Sequence, residues 1–233
     1  MAGAQSAESG RPASLEMYAR LGHVLGLRLE AEFVDPRRRS ARPPEETDLV
    51  HAAMGELEAA HLRAAGFAVS LDTPYQHYQF AGRADVLAWS VTHRALLHIE
   101  NRTRFPNLQE AAGSYNAKRA YMAGVIAERF AIRGGFASVT HVMAALWSAE
   151  VIHSLRLRSA SFRSLCPDPT EAFEAWWDGR PADRARSSCL VLLDPFAHGR
   201  QRLWVSLETA LAEVRPRMRG YADAAARLGL RAV

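Results

Sequence analysis

Asp85 and Glu100 are the residues of this chain whose types and spacing suggest chemistry, because each stands in a segment that reads as a strand. Residues 84–89 and 95–101 are rich in Val, Leu, Ile and Trp and are joined by a short polar connection. Side chains alternate along a strand, so Asp85, Leu87 and Trp89 share one face, and Leu96, His98 and Glu100 can share it on the second strand. If Ser90 and Ala95 close the turn, Asp85 lands opposite Glu100. Directly opposed side chains sit about 5 Å apart, and like charges there repel. Such a pair calls for a cation. Mg2+, a hard ion that takes oxygen ligands, is one candidate. The guanidinium of Arg102, beyond Glu100 on the same face, is the other.

The run Gly82-Arg83-Ala84-Asp85, then Glu100-Asn101-Arg102, then a helix, resembles the PD-(D/E)xK nuclease superfamily. The resemblance covers roughly residues 48–147 and follows an α-β-β-β-α-β order. It implies a restriction-endonuclease-like α/β core with a mixed central sheet, to which this chain adds a C-terminal α/β extension. It also implies that a helix acid, a strand Asp and a third-strand Glu hold Mg2+ and activate water. The matching positions are Glu56, with Glu58 as the alternative, Asp85 and Glu100. The family's lysine position is Arg102, and arginine keeps its proton, so it can clamp a phosphate but cannot act as a general base. In some members the lysine has moved to the following helix. Lys118, the only lysine of the chain, is the residue for that role.

The elements that must position these groups can be read in order. A helix over residues 48–65 ends at Gly66, and Ala52, Ala53, Ala59 and Ala60 surround Glu56 with a smooth side suited to a sheet. Residues 67–71 read as the first strand, and 72–78 as a turn whose aromatics and His77 rim the site. After the hairpin come a helix over 106–130, in which Glu110, Ser114 and Lys118 make a polar stripe, and a buried strand over 139–148. A helix over 150–165 carries Arg156, Arg158 and Arg163. A short helix over 170–178 holds Trp176 and Trp177, strands follow at 188–193 and 202–207, and helices over 215–221 and 222–228 end the chain.

The organisation expected is a disordered tail over 1–13, a segment over 14–35, a Pro- and Arg-rich linker over 36–47 and the main domain over 48–233. The second of these, SLEMYARLGHVLGLRLEAEFVDP, resembles the closing helix and strand of an Xre-type helix-turn-helix regulator domain, without its recognition helix. With 233 residues and 48% hydrophobic content the chain can bury a full core. It shows no signal peptide or membrane span, which points to a cytoplasmic protein. Cys166 and Cys189 are too few for a disulfide framework or a zinc site and read as buried thiols. His98-x-Glu100 lacks the downstream P-C-x-x-C of zinc deaminases, and neither a nucleophile elbow nor a phosphate loop occurs. A net charge of +4 and a pI near 9.4 leave room for an anionic partner.

The function expected is therefore DNA binding, weak and low in sequence preference, by a relative of Xre-type regulators whose nuclease-like domain has little or no activity. The alternatives are a Mg2+-dependent nuclease and a protein-interaction module that keeps only the fold.

Overall fold

A computed structural model describes residues 17, 20, 23, 24, 48–78, 80–181, 183–197, 201–212 and 215–228. The chain divides into two compact units, Met1–Pro43 and Pro44–Val233. In the first, Met17, Arg20, His23 and Val24 are helical. The expected tail, the remainder of 14–35 and the linker lie outside the described residues.

The second unit runs α1 (Leu49–Ala64), β1 (Ala68–His77), β2 (Phe80–Ser90), β3 (Ala95–Arg102), α2 (Leu108–Arg129), β4 (Ser138–Leu146), α3 (Ala149–Leu157), α4 (Ser159–Leu165), α5 (Glu171–Trp177), β5 (Arg186–Leu193), β6 (Trp204–Ser206), α6 (Leu207–Ala212) and α7 (Tyr221–Arg227). One mixed sheet holds the strands in the order β1-β2-β3-β4-β5-β6. The β1, β2 and β3 strands form an antiparallel meander, β3, β4 and β5 are parallel, and β6 returns antiparallel to β5. The parallel pairs need crossovers, which α2 and then α3–α5 supply. β4 is buried along its whole length, as its nearly continuous apolar run requires.

Local chemistry places the two helices that matter most. Asp48 caps α1 by accepting from the His51 amide at 3.0 Å, and its other oxygen accepts from the Thr103 hydroxyl at 2.8 Å, so the cap also ties α1 to the end of β3. Asn107 caps α2 by accepting from the amides of Gln109 and Glu110. Trp176 on α5 donates to Thr140 of β4, and His61 of α1 stacks on Trp177 with ring centres 3.9 Å apart. α1 and α5 thus share one face of the sheet, and α2 covers the other.

Four expectations change. Residues 72–78, read as a turn, continue β1 as far as His77: Asp72 takes a positive φ of 48° and the chain stays paired with β2 on either side of it. The expected helix over 150–165 breaks at Arg158 (φ −129°, ψ 32°), and beyond the break Phe162 is buried 4.8 Å from Phe105. The strand over 202–207 shortens to Trp204–Ser206 because Leu207 begins α6, and residues 215–220 precede the last helix instead of forming one. Cys166 and Cys189 are free and buried, as expected.

The segment before α7 is pinned by one ion pair. Asp194, 1% exposed at the end of β5, accepts from the Arg217 guanidinium, and the neighbouring Met218 bridges to Ser148. Arg217→Ala leaves that carboxylate buried without its cation. Chemical denaturation should show a loss of about 2 kcal/mol, moderated by the 35% exposure of Arg217. Asp194→Asn combined with Arg217→Ala should recover part of it; a double variant as weak as the sum of the singles would remove the pair from the account.

Candidate functional site

The hairpin register is the expected one, Ser90↔Ala95 through Val86↔Ile99. Beyond Val86, toward the start of β2, strict alternation breaks. The β1–β2 ladder pairs Leu71↔Val86 and Thr73↔Ala84 but skips Asp72 and Asp85, at the residue with φ 48°. Leu71, Val86 and Asn101 all pack around Gly55 of α1, at 3.7–3.8 Å from where its Cβ would be. Only two residues from Val86, Ala84 instead packs with Met122 and Ile126 of α2, and His77 stacks on Tyr121 of the same helix. The meander therefore changes face at Asp72 and Asp85. As a result the Asp85 carboxylate turns toward α1, accepting from the Asn101 amide at 2.7 Å and meeting His51 Nε2 at 3.1 Å.

Glu100 points the other way, toward α2. Lys118 donates to both of its oxygens, at 2.5 Å to Oε1, and Arg102 donates to Oε1 at 2.8 Å. His98 Nε2 lies 3.4 Å from Oε2, and His98 Nδ1 meets His141 Nδ1 of β4 at 3.1 Å. Burial works against the charge, but the His98 bond and the charges of Lys118 and Arg102 win and hold the carboxyl well below the usual range. Burial lowers both imidazoles, and each is neutral near pH 7. A neutral His98 that donates through Nε2 must accept at Nδ1, so His141 Nδ1–H is the donor of that pair. Glu100 and Lys118 are 2% and 6% exposed, whereas Arg102 is 23% exposed. Arg102 is thus the part of the cluster that reaches water.

On the α1 side, Glu58 is fully buried and accepts from Asn101 Nδ2 at 2.9 Å. Its other oxygen and Asn101 Oδ1 are buried without a hydrogen-bond partner. Burial pushes the Glu58 carboxyl up to about 8. A protonated acid explains both loose ends, since its hydroxyl hydrogen is the donor that an amide oxygen beside it would take. His51 is raised because the bond and charge of Asp85 outweigh the lowering by burial. Asp48, His51, Glu56, Asp72, Asp85 and Asn101 line a cavity of about 340 Å³ there.

The residues expected to act together fall into two groups. Glu100, Arg102 and Lys118 meet; Asp85 stands with His51 and Asn101; Glu56 is exposed on the cavity wall, and the buried helix acid is Glu58. Among the described residues no three His, Cys, Asp or Glu side chains form a set able to hold a metal ion. The trio Glu56, Asp85 and Glu100 matched to Mg2+ is therefore not gathered into one set: Glu100 is paired with Lys118 and Arg102, and Asp85 stands with His51 and Asn101. Sequence reasoning did not single out His51, Asn101 or His141. Gly55 lies between His51 and Glu58 on one helix face and meets the side chains of Leu71, Val86 and Asn101 at ordinary contact distance.

The Glu58 proton has a consequence for stability. Its folded value of about 8 lies above its ordinary 4.5, so the folded state keeps a proton that the unfolded chain releases. This contribution is complete below about pH 4.5 and fades as pH rises to 8, by about 1.4 kcal/mol per unit. Denaturation between pH 5 and 8 should show Glu58→Gln flattening that slope relative to wild type; parallel slopes would mean that Glu58 is ionised in the folded protein. No protein-family model matches this chain and no curated protein matches it, so what the site does must be argued from its geometry.

Proposed function

We propose that this chain is a nucleic-acid-binding protein of restriction-endonuclease-like fold whose nuclease-like position is closed and does not cut. One observation carries the reading: Glu100, Arg102 and Lys118, the residues matched to the nuclease motif, meet in one cluster in which the carboxylate is buried and both oxygens are occupied. The order α1-β1-β2-β3-α2-β4, with β3 and β4 parallel, supports the fold assignment. Two cations against one carboxylate leave an excess positive charge, and its exposed share sits on Arg102, which has further N–H groups for a phosphate. Arg156, Arg158, Arg163, Arg215 and Arg219 are exposed and add phosphate contacts without sequence information. The segment resembling an Xre-type regulator suits a protein that binds DNA rather than cleaving it. Among the described residues no helix is long and apolar enough to cross a membrane.

Fluorescence anisotropy with several unrelated duplexes should give weak affinities that are alike across sequences and drop steeply between low and moderate salt. Plasmid, single-stranded DNA and RNA incubated in Mn2+ should remain uncut above a Glu100→Gln control. Cutting that this substitution removes would make the protein a nuclease. A failure to bind any duplex at low salt would instead leave the fold as a protein-interaction module.

A further inference from the structure

Among the described residues, the exposed large hydrophobic side chains that are aromatic are Tyr78, 88% exposed, and Phe80, 40% exposed, and they flank one turn of the β1–β2 hairpin. Their neighbours are already arranged as parallel rings. His77 and Phe80 face each other across the hairpin. His77 stacks on Tyr121 of α2 at 4.4 Å and 16°, and Phe80 on the same ring at 5.3 Å and 24°. Tyr78 stands edge-on to His77 at 4.7 Å, its backbone at φ 51°. Tyr78 and Phe80 are exposed while His77 and Tyr121 are half-buried, so the outer rings contribute little to the core. What they offer is π-faces.

Charge says what fits those faces. Arg129 of α2 donates to the Pro74 carbonyl at 2.7 Å, and Arg83 pairs with Pro74 across the ladder, sharing its charge with Asp72. Pro74 lies about 10 Å along the strand from His77. Guanidinium groups thus lie further along the same strand, about 10 Å from the rings, and Tyr121 is one helical turn beyond Lys118, so the ring cluster continues toward the Glu100 group. Its inner neighbour is Tyr75, whose ring covers Gly82 so closely that a Cβ there would lie 3.0 Å from it. Rings with arginines further along the same track are one way single strands are held: bases stack while the backbone meets the cations. A duplex has no free base faces to give.

We infer that the hairpin rings Tyr78, Phe80, His77 and Tyr121 form a stacking platform for unpaired nucleobases, so that the protein takes single-stranded nucleic acid, or the frayed end of a duplex, at this corner. The inference rests on the nucleic-acid-binding reading above and adds the strandedness of the substrate. The test compares wild type with Tyr78→Ala/Phe80→Ala, both exposed positions whose loss leaves the core intact, on a labelled dT oligonucleotide and a blunt duplex of equal length. Wild type should prefer the oligonucleotide. The double variant should lose at least roughly fivefold on it, since stacking is worth about 1–3 kcal/mol per base, and should keep its affinity for the duplex. Equal losses on both, or none on either, overturn the platform while leaving duplex binding, and with it the parent reading, in place. A wild-type protein that binds neither removes both. A dimer seen by light scattering in wild type and absent from the variant would assign the rings to a contact between copies and overturn the inference.

Discussion

A carboxylate charge in the middle of a sheet is the constraint on which this fold turns. Taking Glu100 out of water costs several kcal/mol unless the charge is matched, and the match comes from three elements. Lys118 reaches in from α2, Arg102 folds back along β3, and His98 extends the network to His141 on β4. The β3–α2–β4 crossover is therefore held by an electrostatic requirement as well as by apolar packing: α2 cannot leave the sheet without taking Lys118 from Glu100. Apolar neighbours such as Met122 and Ile126 would tolerate a small shift in helix register. A short bond between buried ions does not.

The same requirement explains how far the sequence could be read. Local signals were enough for the hairpin register, because turn and alternation agree from Ser90 to Val86. Lys118 came from the family resemblance and not from local signals, since the stripe of Glu110, Ser114 and Lys118 reads equally well as a solvated helix face. The change of face at Asp72 and Asp85 was not legible. It depends on a left-handed residue inside a strand, a conformation that aspartate tolerates better than most residues but that no pattern announces. Strict alternation set Asp85 and Glu100 on one side of the sheet. One inverted residue puts their carboxylates on opposite sides, each with its own partners.

Helix α1 shows the complementary case. Alanines around Glu56 suggested a face smooth enough to meet the sheet, yet the face that meets it carries Val50, Met54, Gly55, Glu58, Ala59 and Leu62. Both faces are rich in small residues, so size alone could not choose between them. The presence of β-branched and long apolar residues at Val50, Met54 and Leu62 was the better guide, since those side chains gain from burial and alanine gains little. Glu58 comes inside with them, and the cost of its burial is met by holding a proton instead of by finding a cation. The two buried glutamates thus solve one problem in two ways, Glu100 charged and paired, Glu58 neutral.

That contrast bears on whether the site could open for chemistry. An ion at Glu100 would share that carboxylate with Lys118 and Arg102, so its charge would be added to two cations already in contact with the acid. Asp85, the other acid expected to help, is turned toward α1 at the point where the ladder skips Asp72 and Asp85, and there it is held by His51 and the Asn101 amide. A pre-organised electrostatic site is useful to an enzyme because little has to move at the moment of reaction. Here the charges that surround Glu100 come from the protein's own Lys118 and Arg102, and the partly exposed guanidinium of Arg102 is what the cluster presents outward.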